Sequence, residues 1–392
     1  MTAQPSASGS SASPPAASAF NSASSTASGA ALSIQQALTQ IVARQDLSRD
    51  EMLGIMRQVM SGGVPAEQLA GLLMALRVKR ESVDEIAAAA QVMREFATPV
   101  PVNLADIPNL VDLCGTGGDG AHSFNISTTA MFVAAAAGAK VAKHGGRAVS
   151  SSTGSADVLE GLGANIHLPP EQVAQCIREV GVGFMFAPNH HTAMKHVAPV
   201  RKALGVRTMF NILGPLTNPA GAKHQLMGVF STDLVRTQAE VLRSLGSQHV
   251  LVVHARNGLD EIAIDGETFV AELTHEGDIH ERLIFAQQFG VPAYNAQDLD
   301  KGLGARSLEE AKARMASALN NEPGPARDIV MMNAGAALWA ADVASSLADG
   351  IRQAKAALES GAAKAKLAAF VEFTQSVQGG QPAQAAGAKG GR

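Results

Sequence analysis

The chain has 392 residues, 46% of them hydrophobic and 17% charged, which is enough for two domains with substantial cores. Its net charge of −4 gives no global pull toward nucleic acid or an anionic membrane surface, and no apolar run approaches the ~20 residues that span a bilayer. Its two cysteines, Cys114 and Cys176, sit in apolar settings. They read as reduced packing residues rather than a disulfide framework, and Cys114 as a buried thiol rather than a nucleophile.

Residues 1–31 are mostly Ser, Ala, Gly and Pro and are expected to be disordered, as is the Gly, Ala and Gln-rich stretch 376–392. The first charged residue is Arg44, so the N-terminus has neither the basic start of a secretory signal nor the Arg content of a transit peptide. A cytoplasmic location is expected. From 32 to about 97 the pattern is helical, with capping boxes at Ser48-Arg-Asp-Glu51 and Ser82-Val-Asp-Glu85. A further helix starts at Pro65 and carries Leu69, Leu72, Leu73 and Leu76 on one face. Short connections imply antiparallel neighbours, hence a small helical domain whose role is packing, including against a second copy of itself. Thr98-Pro-Val-Pro-Val102 is an extended linker.

Beyond it, strand-like runs at 110–114, 139–143, 250–254 and 262–264 alternate with helical patterns at 128–137, 156–162, 233–245, 307–319 and 326–375. The expected fold class is α/β: a small N-terminal helical domain, then a larger domain with a mostly parallel central sheet.

The most informative stretch is 110–131. An apolar strand stops at Gly115-Thr-Gly-Gly-Asp-Gly120, after which Ser127 or Thr128 is placed to cap an Ala-rich helix. Strand, glycine loop and helix N-terminus aim free backbone N–H groups at one spot, a geometry that binds phosphate. The loop fits the dinucleotide pattern at Gly115, Gly117 and Gly120, yet 120–156 holds no Asp or Glu to take a ribose hydroxyl. No Lys-Ser/Thr pair closes a Walker loop.

Residues 120–156 carry Lys140, Lys143 and Arg147 without a carboxylate, and 180–232 hold Lys195, Arg201, Lys202, Arg207 and Lys223, also without one. Two such gaps beside a phosphate loop point to a polyanion site. Asp260-Glu261, just after a strand, supplies the missing carboxylates, and hard oxygen ligands near phosphates suit Mg²⁺. His190, His191 and His196 lack an accompanying acid or cysteine, so they read as lining or capping residues rather than a zinc site.

Taken together, DLCGTGGDG, FNISTTA, KHGGRAVSSSTGSADVLEGLG, APNHHTAMKHVAPVRKALGVRTMFNILGPLTNPAG and GLDEIAIDG resemble, in order, the anthranilate phosphoribosyltransferase family. The resemblance spans roughly 32–375. It implies transfer of the phosphoribosyl group of phosphoribosyl pyrophosphate to the amine of anthranilate in tryptophan biosynthesis, with pyrophosphate released. Mg²⁺ is implied, as two ions with the substrate, together with a homodimer formed through the helical domain and a nucleoside phosphorylase type of architecture. Domains would be 32–102, with 169–204 packing onto it, and 103–168 with 205–375.

The resemblance places phosphoribosyl pyrophosphate against Gly115, Gly118, Asp119, Ser123, Asn125, Ile126, Ser127 and Thr128. It adds Lys143, His144, Gly145, Gly146, Arg147, Ala148, Val149, Ser150, Ser151 and Ser155. Anthranilate falls to Gly115, Gly146 and Arg201, and metal to Ser127, Asp260 and Glu261. Many members have Asn at the position of Gly146, and Lys is common where Ser152 stands. No classical acid or base is implied, because an aniline nitrogen is largely neutral at pH 7; catalysis comes from alignment and from neutralising the leaving group. Two alternatives share the architecture. One is a pyrimidine nucleoside phosphorylase, against which the Asp-Glu pair and the GTGGD loop speak. The other is a nucleic-acid binder with a basic groove, against which the negative net charge and 4% aromatic content speak.

Overall fold

The computed structural model describes residues 32–148 and 153–377. The expected N-terminal tail, nearly all of the C-terminal one, and Val149, Ser150, Ser151 and Ser152 lie outside the described residues.

Four helices come first: α1 (Ile34–Val42), α2 (Arg49–Met60), α3 (Ala66–Lys79) and α4 (Val83–Glu95). Capping boxes at Ser33, Ser48 and Ser82 start three of them. The capping Glu85 is fully buried. It accepts the Leu47 N–H at 3.0 Å, the Ser82 N–H at 2.7 Å and Lys79 Nζ at 2.9 Å, so one carboxylate ties the α1–α2 link to the α3–α4 corner.

The larger part runs β1 (Leu110–Gly115), α5 (Ile126–Ala136), β2 (Lys140–Gly145), α6 (Ser155–Gly161), α7 (Pro170–Glu179), β3 (Val182–Phe186), α8 (Ala187–His190), α9 (Ala198–Leu204), α10 (Phe210–Leu213) and β4 (His224–Gly228). It continues with α11 (Asp233–Ser244), β5 (His249–Ala255), β6 (Glu267–Leu273), β7 (Ile279–Phe285), α12 (Ala296–Leu303), α13 (Leu308–Leu319), α14 (Pro325–Ala340), α15 (Leu347–Glu359) and α16 (Ala362–Ser376). The sheet order is β3-β2-β1-β4-β5-β6-β7. Its first five strands are parallel, and β6 and β7 add an antiparallel hairpin. The strand order reverses beside β1, between β2 and β4. Such a switch point opens a ligand crevice at the C-terminal strand ends. Helices α5, α14, α15 and α16 back the sheet; Phe132 packs on Phe370 at 5.6 Å between ring centroids. Bare glycines at 335 and 350 let α14 and α15 touch backbone to backbone.

Four expectations are corrected. Residues 262–264 form no strand: Asn333 takes the place of a neighbouring strand, accepting the Ile262 N–H at 2.9 Å and donating to the Ile262 carbonyl at 3.0 Å. Strands β3, β4, β6 and β7 have no counterpart among the expected ones. The segment 169–204 does not pack as one piece on the helical bundle. Its first half supplies α7 and the edge strand β3, which pairs with β2, because Val182–Phe186 is buried throughout. Only the second half, through Ala193, Val197 and Val200, joins the core of the helical bundle. Finally, α16 runs through Ser376 rather than ending before a tail there.

Candidate active site

The crevice at the switch point is a cleft of about 360 Å³. Every described residue assigned to phosphoribosyl pyrophosphate, anthranilate or metal lines it, from Gly115 on β1 to Arg201 on α9 and Asp260-Glu261 after β5. The local sequence explains the convergence. Gly117, Gly118 and Gly120 adopt φ of +65°, +75° and +71°, which side-chain-bearing residues rarely take. A Cβ at Gly115 would strike Asp260 Oδ2, and one at Gly228 would strike the Asp260 carbonyl. Small residues at two strand ends therefore make room for the acidic pair. In return Gly117 donates its N–H to Asp260 Oδ2 at 2.7 Å.

Glu261 Oε1 accepts the Ser127 N–H at 3.1 Å at the start of α5. Neither Ser127 nor Thr128 caps that helix, which begins one residue earlier behind Asn125. Asn125 spends its amide on Thr153 instead, in bonds of 3.1 and 3.2 Å. Ser127 Oγ accepts Lys143 Nζ at 3.0 Å, Lys143 also donates to the Leu113 carbonyl, and Thr128 Oγ1 meets Ser155 Oγ at 2.9 Å. At the start of α5 the N–H of Ile126 is taken by the Phe124 carbonyl and that of Ser127 by Glu261.

The acids carry the unusual electrostatics. Burial and the neighbouring Asp119 push the Asp260 carboxyl up from its ordinary range. Burial and Asp260 push Glu261 up to about 8, with Lys143 opposing. Among the described residues neither has an ion-pair partner. Crowded, unpaired carboxylates with hard oxygens fit a divalent cation. Cys114 is no thiolate, since burial drives its pKa well up and Gln225 Nε2 lies 3.0 Å from its sulfur.

On the other wall, Arg201 is partly buried and lies over the Phe210 ring at 5.8 Å, without a carboxylate partner among the described residues. Arg147 is differently placed: half-exposed on the cleft lining, it is paired with Asp157 at 2.9 Å and Glu160 at 2.6 Å. His190 caps the linker, its Nδ1 2.8 Å from the Thr98 carbonyl, while the His191 ring packs on that of His144 at 4.9 Å. Cβ space at Gly146 is open.

Arg207, expected only as one cation of the acid-free stretch, has a specific place. Its guanidinium donates to the Gly118 carbonyl and sits over Phe230 at 4.1 Å, pinning the glycine loop. Phe210, Asn211 and Pro215 also line the cleft; the FN-LGPL pattern was the available signal. The buried Asp112, which accepts the His144 N–H at 3.2 Å and Asn218 Nδ2 at 2.7 Å, left no readable trace.

A helical bundle followed by an α/β domain is also the two-part make-up of the glycosyl transferase family. The family model for the helical bundle domain of the glycosyl transferase family matches 35–97, and that for its a/b domain matches 107–364. The chain is 60% identical over 343 residues to an anthranilate phosphoribosyltransferase of Methylibium petroleiphilum, covering 88% of this chain and 98% of that one. It is 62% identical over 340 residues to that of Laribacter hongkongensis, covering 87% and 97%. Among solved structures, the Thermus thermophilus anthranilate phosphoribosyltransferase superposes with a TM-score of 0.80 at 43% identity, covering 86% of this chain and 99% of that one. The Saccharomyces cerevisiae enzyme in complex with PRPP and Mg gives 0.76 at 26%, covering 88% and 98%. The chain belongs to the anthranilate phosphoribosyltransferase family.

Proposed function

We infer that this chain moves the phosphoribosyl group from phosphoribosyl pyrophosphate to the amine of anthranilate, releasing pyrophosphate, in tryptophan biosynthesis. The observation that carries the reading is the meeting, in one cleft, of a glycine loop, a helix N-terminus, an acidic pair and an arginine, the last two without ion-pair partners among the described residues. In the reaction the C1–O bond to pyrophosphate breaks and a C1–N bond to the amine forms, with one amine proton lost.

Gly118 and Asp119 of the glycine loop, with Ser123, Asn125 through Thr128, Lys143 to Ala148 and Ser155, are assigned to the donor. Lys143 has three N–H donors and spends two on Leu113 and Ser127, leaving one for an anionic oxygen. Arg201 is assigned to the anthranilate carboxylate, whose planar pair of oxygens suits a guanidinium, beside Gly115 and Gly146. Asp260 and Glu261, with Ser127, would hold Mg²⁺, as two ions with the donor. That cation would neutralise the pyrophosphate oxygens as charge develops on them.

Residues on the chain orient the two reactants and exclude water; no side chain is needed as a strong base. The helical bundle is the proposed homodimer face and the cytoplasm the proposed location. No described helix is long and apolar enough to cross a membrane. The test is pyrophosphate release: it should require phosphoribosyl pyrophosphate, anthranilate and Mg²⁺ together. Phosphorolysis of a pyrimidine nucleoside in its place would overturn the reading.

A further inference from the structure

The N-terminal ends of the central strands, opposite the cleft, hold a second group of metal-type ligands. His224 and His249 begin the adjacent parallel strands β4 and β5 and are register partners. Asp342 follows the end of α14, and His275 lies in the turn between β6 and β7. His249 Nδ1 is 2.7 Å from Asp342 Oδ1, His275 Nε2 is 2.8 Å from Asp342 Oδ2, and His224 Nδ1 is 3.7 Å from the same oxygen. Ligand atoms of His224, His249 and Asp342 lie within 4.8 Å of one another. The His275 ring stands 5.5 Å from that of His249 and 5.9 Å from that of His224.

This group is supported from behind. The other nitrogen of His249 faces Glu272 Oε1 at 3.4 Å, and Glu272 is itself paired with Arg282. The Trp339 ring stands edge-on to His249 at 5.6 Å, and His224 Nδ1 is 2.8 Å from the Ala340 carbonyl. Carboxylate and carbonyl partners behind metal-binding imidazoles orient them and fix their tautomer.

We propose that His224, His249 and Asp342, whose ligand atoms already converge, together with the half-exposed His275 turning in as the fourth ligand, form a binding site for a divalent transition metal of the zinc type, separate from the catalytic cleft. Three imidazoles and one carboxylate suit zinc or cobalt in tetrahedral coordination and suit magnesium poorly. Binding involves no redox change. The protons that His249 and His275 now share with Asp342 move to the opposite ring nitrogens, which for His249 is the one facing Glu272, while His224 keeps its Nδ1 proton on the Ala340 carbonyl and offers Nε2. The ion would clamp β4, β5, the β6–β7 turn and the end of α14, so its role is structural.

The test uses the full chain, stripped with a chelator and titrated with Co²⁺ in excess Mg²⁺. Wild type should develop the visible bands of tetrahedral cobalt at one ion per chain, and Zn²⁺ should bleach them. His275→Ala changes a half-exposed turn residue. Asp342→Asn keeps a residue that tolerates the φ of +54° found there. Each should weaken cobalt binding ~10-fold or more and abolish the rise in melting temperature that Zn²⁺ gives wild type. Anthranilate turnover with Mg²⁺ should be unchanged in both. Absence of the bands in wild type, or bands retained in both variants, would overturn the proposal.

Discussion

Replacing Glu261 by Gln keeps the side chain's shape and removes its charge, which separates what the residue costs the fold from what it gives the site. Burial and Asp260 raise its pKa from 4.5 to about 8, equivalent to ~4–5 kcal/mol between the two protonation states. The side chain still faces the cleft, so solvent screening leaves roughly half, ~2 kcal/mol. The unfolded chain loses this proton near 4.5 and the folded one near 8. Metal-free protein therefore loses stability as pH rises through that window, and below it the group contributes nothing. In Glu261→Gln this loss is absent. At ~2.1 cal/mol/K per residue, ~2 kcal/mol over a protein of this size is about 3 °C. Calorimetry without metal should find the variant about that much higher-melting at about pH 9 and equal to wild type at about pH 4. Mg²⁺ should stabilise wild type at the higher pH and leave the variant unmoved. A variant with the same pH slope as wild type, or one stabilised equally by Mg²⁺, would refute the reasoning.

Asp260→Ala should lower turnover on the order of a hundredfold or more, the cost of a lost charge-stabilising element, with the fold intact; steady-state kinetics across Mg²⁺ concentrations checks this. Arg201→Ala should raise the KM for anthranilate strongly and barely change that for phosphoribosyl pyrophosphate, whereas Lys202→Ala should be mild. A change under ~0.5 kcal/mol for Arg201→Ala would move the acceptor site elsewhere. Gly228→Ala puts a Cβ onto the Asp260 carbonyl. It should cost 1–3 kcal/mol by overpacking, roughly, and weaken Mg²⁺ dependence as well, read by denaturant unfolding and by kinetics.

The chemistry was legible where it was written locally. Glycines at 115–120, the acid-free stretches and Asp260-Glu261 are short-range signals, and they meet in one cleft. What stayed hidden depended on partners distant in sequence. Strand β4 reads as His-Gln-Leu-Met-Gly; its polar residues are buried because Ala340 and Pro215 offer carbonyls to His224 and Gln225. The apolar 262–264 has strand composition, but a side chain 71 positions away, Asn333, completes its hydrogen bonds. Ser127 looks like a cap, yet its hydroxyl belongs to Lys143. Arg207 was one of five cations in its acid-free stretch, and the partner that gives it its place, Gly118, lies 89 positions away. His224, His249, His275 and Asp342 are scattered over more than a hundred positions, and only the register of β4 with β5 brings the first two together.

The most direct test of the central claim is the fluorescence of anthranilate followed in time with the purified chain. The signal should fall only when phosphoribosyl pyrophosphate and Mg²⁺ are both present, with one pyrophosphate released per anthranilate consumed. A signal that stays constant with both substrates and the metal present would contradict the assignment of this cleft to phosphoribosyl transfer.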